Sequence, residues 1–419
     1  MTNQHKKTSN NLILALLSDL LNIMKAEFRT MFKDRGVVIM LVLGPLAYPL
    51  LYCSLYKYET LTDVPVAVVD NAHSKESREL IRHLDATQNL KVDKHYATMS
   101  EAQQAYYDKK VHGVLYIPED FSKKILSNEQ AHVSVYCDIS SFMYYRIITG
   151  ACNNCILDMN AEIKTHRLEA GGVAGQAATI SASPIPYEGT ILFNEGAGFA
   201  SFLMPAILII VIQQTLFLGI GMLAGTAREE NRAHLLVAGS VHRGHSIRVV
   251  LGKALCYLFM YSAWSFFILG TVVRLFNLPH IGQTMDIIAM MLPYLLAAIF
   301  FSLTISVFFP HRETVMILFL SFSLVLVFIS GVSWPQSNIN GFWKVFAWIF
   351  PSTSAVQGFI KINTMGATLR EIKYEYVSLW IQTALYFATA AWAYRWQIKK
   401  SSKKYQAQIA ENTVAKATV

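Results

Sequence analysis

The sequence predicts an α-helical polytopic membrane protein with an inserted α/β domain, on three observations. The apolar residues gather into six long blocks instead of helix faces or alternating strands. Basic residues collect in alternate connections between those blocks. One long segment after the first block alternates short strand-like and helix-like runs. Of the 419 residues, 53% are hydrophobic and 15% charged, against about 25% charged in an ordinary soluble domain.

Residues 1–35 come first. Ile13, Leu17, Leu20, Leu21, Met24, Phe28, Met31 and Phe32 recur at helical spacing, with Asp19, Asn22, Lys25, Glu27, Arg29 and Lys33 between them. This predicts an amphipathic helix lying in the inner-leaflet interface. The first apolar block starts near residue 36 with no small-residue cleavage site after it, so a cleavable signal peptide is not expected. The six blocks are Gly36–Tyr56, Gly198–Ala224, Ala254–Val273, Ile287–Phe309, Thr314–Val332 and Tyr376–Tyr394. Each suits a hydrocarbon core that takes about 20 apolar residues to cross.

Orientation follows from the basic residues. Lys6, Lys7, Lys25, Arg29, Lys33 and Arg35 precede the first span, and Arg228, Arg232, Arg243, Arg248 and Lys253 lie between the second and third. His311 and Arg312 sit between the fourth and fifth, and Arg395, Lys399, Lys400, Lys403, Lys404 and Lys416 follow the sixth. In a six-span chain these all fall on one side, which the positive-inside rule makes cytoplasmic, together with both termini. Residues 57–195 carry 18 acidic and 13 basic side chains and fall on the other side. The net charge of +8 thus reports topology, and no basic aromatic-lined groove for nucleic acid is expected.

Within residues 57–195, Val64–Asp70, Leu90–Tyr96, Gly113–Ile117 and Ala131–Cys137 read as strands. Ser74–Thr87, Ser100–Lys110 and Pro118–Asn128 read as helices, with Ser74 an N-cap. Strands alternating with helices predict a small α/β domain. Ser141–Ala170 reads as one long helix and residues 171–186 as a flexible return. No catalytic constellation is visible there; such a domain suits substrate binding or docking of a periplasmic adaptor. Between spans five and six, residues 334–374, Phe342–Phe350 and Ser354–Met365 are too short to cross and are broken at Pro351. They predict a re-entrant or interfacial element, Trp-rich as interfaces tend to be.

The most informative stretch is Arg228-Glu229-Glu230-Asn231-Arg232-Ala233-His234-Leu235-Leu236, followed by Arg243 and Gly252-Lys253. The run before it, Gly196–Ala227, and the run after it, Ala254–Val273, hold no Asp, Glu, Lys or Arg. A short basic amphipathic segment between two spans is what docking a cytoplasmic partner requires. Residues 239–246 nearly spell a phosphate-cradling loop, but His245 stands where its lysine belongs and no strand precedes it, so nucleotide binding is not expected. Gly221 and Gly225 form a G-x-x-x-G pair that permits close helix approach, within one chain or in a dimer. Cys152 and Cys155 form a C-x-x-C inside a helix, not at a helix start after a strand as a redox pair wants. A structural disulfide or buried thiols are the alternatives, and with five cysteines at least one stays unpaired in a monomer. The histidines show no close metal-ligand pairing. Gln213 and Gln214 lie mid-span, where polar groups bond a neighbouring helix or line a pathway.

The order of interfacial helix, span, large external α/β domain and five further spans resembles the ABC-2 type (type V exporter) ABC transporter permeases, in the subgroup with a large extracytoplasmic domain. The resemblance rests also on the charged loop ending in Gly252-Lys253, on Ser330-Gly331, Pro335 and Phe350-Pro351, and on Val66–Asp70 and Gly113–Phe121. It implies that the loop after span two is a coupling helix seated in a cleft of a separate ATPase. Arg228, Glu229, Glu230 and Arg232 would then supply charged contacts, Leu235 and Leu236 the apolar face, and Arg243 and Lys253 the following elbow. The family often has Gly-Thr before the leucines and Thr-Pro after them; Asn231-Arg232 and Ala238-Gly239 stand here instead. ATP and Mg would be bound by the partner ATPase, with no cofactor or metal in this chain. A second permease copy or paralogue, membrane lipid and a periplasmic adaptor are the other partners the family implies, in a bacterial inner membrane. The function implied is export of an amphipathic or hydrophobic, drug-like or lipid-like substrate. A proton-coupled carrier fits less well, because charges are scarce inside the spans and no inverted repeat is visible. The alternative from another class is a non-transport membrane protein whose external domain senses a ligand or anchors envelope assembly.

Overall fold

The computed structural model describes residues 2–173, 175–185, 189, 192–194, 196, 198–230 and 245–417. The chain forms two compact units, one of Met1–Glu59 with Ile191–Val419 and one of Thr60–Thr190. The first element is α1 (Thr2–Lys33). Leu17, Leu21, Phe28 and Phe32 share an exposed face, as an interfacial helix requires. A second face, with Ile23, Met24 and Met31, packs against the apolar core, and Glu27 is buried in that same face. Asp34 ends α1 and caps the next helix: its Oδ1 accepts from the N–H groups of Gly36 (3.0 Å) and Val37 (3.3 Å). That helix is α2 (Arg35–Leu55), with a π turn at Ile39–Leu43.

The inserted unit begins with β1 (Val64–Asp70), which ends in an Asp70 turn. Ser74 and Ser77 exchange capping bonds of 3.0 Å each to start α3 (Lys75–Asp85). β2 (Leu90–His95), α4 (Met99–Tyr107), β3 (Gly113–Ile117), α5 (Phe121–Leu126), β4 (Ser134–Cys137) and α6 (Phe142–Ala170) follow. The strand order is β2-β1-β3-β4; β1 is parallel to both neighbours, and β4 is antiparallel to β3. β1 is buried on both faces, as a central parallel strand should be. Val64, Val66 and Val68 point to one side, under Leu80, Leu84, Phe121 and Ile148 of three helices. Ala67 and Val69 point to the other, where Ala102 and Ala105 of α4 cover them. Residues 171–186, expected as a flexible return, contain α7 (Gln176–Ala182), whose alanines Ala178 and Ala182 are buried. The good helix formers in Gln176-Ala177-Ala178 outweigh the glycines before them.

The chain then forms α8 (Phe199–Glu229), α9 (Ser246–Leu275), α10 (Thr284–Ser306), α11 (Arg312–Ile329), α12 (Gly341–Trp348), α13 (Pro351–Met365) and α14 (Lys373–Ala417). Among the described residues, five helices are long and apolar enough to cross a membrane: α2, α8, α9, α10 and α11. The sixth expected span lies in α14, which is uncharged from Tyr376 to Tyr394 but diluted by Gln382, Thr383 and Thr389. Those polar groups turn inward: Thr383 Oγ1 donates to Pro293 O (3.0 Å) and Gln382 to Trp348 O. α8 is the centre of this unit and almost wholly buried, whereas α11 is mostly exposed. Pro351 opens α13 at its first turn, where its missing N–H is harmless. Ala355, Val356, Phe359 and Ile362 of α13 are then fully buried.

Small residues set the helix approaches. A Cβ on Gly221 would lie 2.5 Å from Val315 of α11, and one on Gly225 2.6 Å from the Arg312 backbone nitrogen. The G-x-x-x-G pair therefore serves packing within the chain. Gly225→Ala is expected to lower the thermal unfolding midpoint of the purified protein, since overpacking against backbone typically costs about 1–3 kcal/mol. Gly270→Ala, with nothing within 4 Å of its added Cβ, should hold or raise the midpoint. Equal midpoints for both variants would refute the close-approach role.

Candidate functional site

Of the residues expected to dock a partner, Arg232, Leu235, Leu236 and Arg243 lie outside the described residues, with the rest of 231–244. The two roots of that loop are described. At the first, the end of α8, the Arg228 guanidinium is turned inward and donates to Phe309 O. Glu229 Oε1 accepts from the Arg312 backbone N–H (2.9 Å) and faces His311 Nδ1 at 3.7 Å. Thr226 Oγ1 donates to Asp34 Oδ2 (3.1 Å), on the residue that caps α2. Arg312 approaches the same carboxylate at 3.9 Å. Glu230 closes α8 as its C-cap. The first root is thus tied to the turn between α10 and α11 and to the junction of α1 and α2.

The second root, the start of α9, is tied to α1. Arg248 pairs with Asp19 at 2.9 Å. One turn further on, Lys253 Nζ donates to both oxygens of Glu27, each at 2.8 Å. Tyr257 OH donates to Glu27 Oε1 at 2.8 Å, and Lys253 lies 6.0 Å from the Tyr394 ring centroid. Only 8% of the Lys253 side chain and 4% of the Glu27 side chain are exposed. Gly252 lets α1 come close, since a Cβ there would lie 2.7 Å from Ile23. Lys253 is therefore committed to a partner inside the chain. Between the roots lies a cavity of about 560 Å³, lined by Asp19, Glu27, Asp34, Arg248, Lys253 and Arg312 among others.

The sequence-based reading missed Glu27, Asp34 and Tyr257 as partners. A signal for Glu27 was present: it stands four residues after Ile23 and four before Met31, on the face that otherwise packs. An acid at such a position needs a buried counter-charge, and Lys253 is that cation.

The mid-span glutamines both border one small apolar cavity but differ in their bonding. Gln213 Oε1 accepts from the Ser352 backbone N–H of α13 at 2.7 Å, a bond between helices. Gln214 lines an apolar cavity of about 150 Å³ with Phe217, Phe301, Phe322 and Phe350. Its Nε2 is buried without a partner. In the inserted unit Cys152 and Cys155 are free thiols inside α6. Burial, with Cys155 and Cys137 nearby, pushes the Cys152 thiol up to about 12, opposite to what a reactive thiolate needs. Among the described residues no three His, Cys, Asp or Glu side chains are placed to hold a metal.

No curated protein matches the chain. The family model described as "ABC-2 family transporter protein" matches residues 35–392, from the start of α2 into α14. The chain therefore belongs to the ABC-2 family of transporter proteins, as a permease embedded in the membrane.

Proposed function

We propose that this chain is the permease of a bacterial inner-membrane exporter, and that residues 226–253 carry the motion of a separate cytoplasmic ATPase into the membrane helices. The observation that supports this reading most is the double anchorage of the loop. One root is bonded to Asp34 and to the α10–α11 turn, the other to Glu27 and Asp19 of α1. A displacement applied to the loop is then delivered to α8 and α9 together, through rigid elements instead of slack chain. Lys253 acts in this as a strut, and contact with the ATPase falls to residues nearer the loop centre, Arg232, Leu235 and Leu236 among them.

The substrate proposed is amphipathic or hydrophobic. The apolar cavity among α8, α10 and α11, with its unpartnered amide on Gln214, has room for one aromatic ring or short acyl segment of such a molecule beside a single polar group. Ile317, Leu320, Leu324 and Phe328 form an exposed stripe on α11, on the face away from that cavity, and a second permease copy or a sister permease would pack there.

Three outcomes are expected. With the chain reconstituted beside its ATPase, Arg232→Glu combined with Leu235→Ser and Leu236→Ser should abolish substrate-stimulated ATP hydrolysis while leaving the permease unfolding midpoint unchanged; wild-type stimulation would remove the docking assignment. Glu27→Gln and Lys253→Met should each destabilise the permease by about 3–5 kcal/mol, because each strands a buried charge or its donor. The double variant should regain much of that loss yet stay uncoupled, and additive losses in thermal unfolding would mean that the two groups do not act as a pair. Gln214→Leu should hold or raise the unfolding midpoint, since a buried unpaired amide costs about 1–3 kcal/mol, while changing which substrates stimulate hydrolysis. A lowered midpoint with unchanged stimulation would count against the cavity as a substrate site.

A further inference from the structure

We propose that the inserted unit binds an organic cation of the quaternary-ammonium class in a groove between α4 and the edge strand β4. The groove measures about 270 Å³ and is walled by Tyr106, Tyr107, Tyr136 and Met99, with Gln103, Val114, Cys137 and Asp138 completing it. Its shape follows from the packing of α4. Ala102 and Ala105 bring that helix down on Ala67, Val69 and Val114, over β1 and β3. β4 lies at the sheet edge beyond β3. Tyr136 stands directly across from Val114 in the β3–β4 ladder, so it projects on the same face as α4 and is half exposed there. The Tyr106 and Tyr107 rings lie 6.3 Å apart at 72° to one another. Aromatic walls at a steep angle beside a third ring are what a cation lacking N–H donors needs, since it is held by ring faces and not by hydrogen bonds.

Asp138 selects the charge. Its carboxylate accepts from the Ser140 backbone N–H at 2.8 Å and from the Ser140 hydroxyl. These bonds hold its carboxyl below the usual carboxylate range, with the Tyr106 hydroxyl as a smaller contributor. Every one of those donors is neutral. No Lys, Arg or His lines the groove, and among the described residues no basic side chain forms an ion pair with Asp138. A negative charge beside three aromatic rings without a counter-cation is complementary to an alkylammonium ion and repels an anion. The volume fits a trimethylammonium head with a short substituent. This site is separate from the cavity of the membrane helices and does not depend on what that cavity carries.

Choline and its neutral isostere 3,3-dimethyl-1-butanol share a shape and differ in charge, which makes them the probes. Isothermal titration of the full-length protein in lipid nanodiscs should show saturable choline binding and at least tenfold weaker binding of the alcohol. Asp138→Asn and Tyr136→Ala alter exposed side chains, so both should keep the wild-type unfolding midpoint. Each should weaken choline binding, by roughly 2- to 30-fold for the loss of one ring wall. Three results each overturn the proposal: no saturable choline binding, equal binding of the alcohol, or wild-type choline affinity in both variants.

Discussion

The ion pair between Glu27 and Lys253 is the constraint on which the membrane unit depends. Two charges lie in a site that is more than nine-tenths closed, joined by two bonds of 2.8 Å and a third from Tyr257. Burying such a pair brings little net stability, because desolvation offsets much of the attraction, but breaking it strands a charge and costs about 3–5 kcal/mol. The neighbouring Arg248–Asp19 pair is partly exposed and contributes at most about 1 kcal/mol. The buried pair therefore decides where α1 sits. Once α1 is fixed, Asp34 follows at its end, capping α2 and accepting from Thr226 of α8. Both roots of the charged loop then hang on one helix.

Inside the bundle the problem differs, because apolar surface gains nothing by leaving lipid for another helix. Close approach and internal hydrogen bonds have to hold the helices instead. Gly219, Gly221 and Gly225 admit Leu41, Val315 and the Arg312 backbone against α8. Tyr261 OH donates to Thr215 Oγ1 at 3.0 Å and Tyr294 OH to Ile209 O at 2.6 Å, both fully buried. α8 is thereby surrounded by fixed contacts, while the Gln214 amide nitrogen mid-helix and Arg228 Nη2 at its end are buried without a partner. Of the two, the Gln214 nitrogen belongs to a residue that lines the apolar cavity.

Much of this was legible in the sequence where the signal is local. The strand Gly113–Ile117 and the Ser74 cap were read directly, because alternation and capping chemistry depend on neighbours a few residues away. The apolar blocks were legible from length and composition alone, with the last weakened by Gln382, Thr383 and Thr389. Partnerships across the chain were not. Glu27 and Lys253 stand 226 residues apart, and nothing in either local pattern names the other. Lys253 was read as part of the elbow after the coupling helix, on the family resemblance, and Glu27 as one of the charged residues between the apolar positions of an interfacial helix. Only its spacing from Ile23 and Met31 placed it on the packing side.

The charges of one short segment thus do two kinds of work. Those at the roots, Arg228, Glu229, Arg248 and Lys253, have partners within the chain. On the proposed reading they fix the direction in which the loop can push, and recognition of the ATPase falls to residues between them. The division has a physical reason. A lever transmits force only if its fulcrum is stiffer than its load, and a buried bidentate pair is stiffer than the exposed contacts with which a detachable partner is held. On the proposed reading, the strongest electrostatic contact of the segment therefore lies inside the chain, about two turns into α9, and the contacts with the motor are left to the weaker, exposed kind.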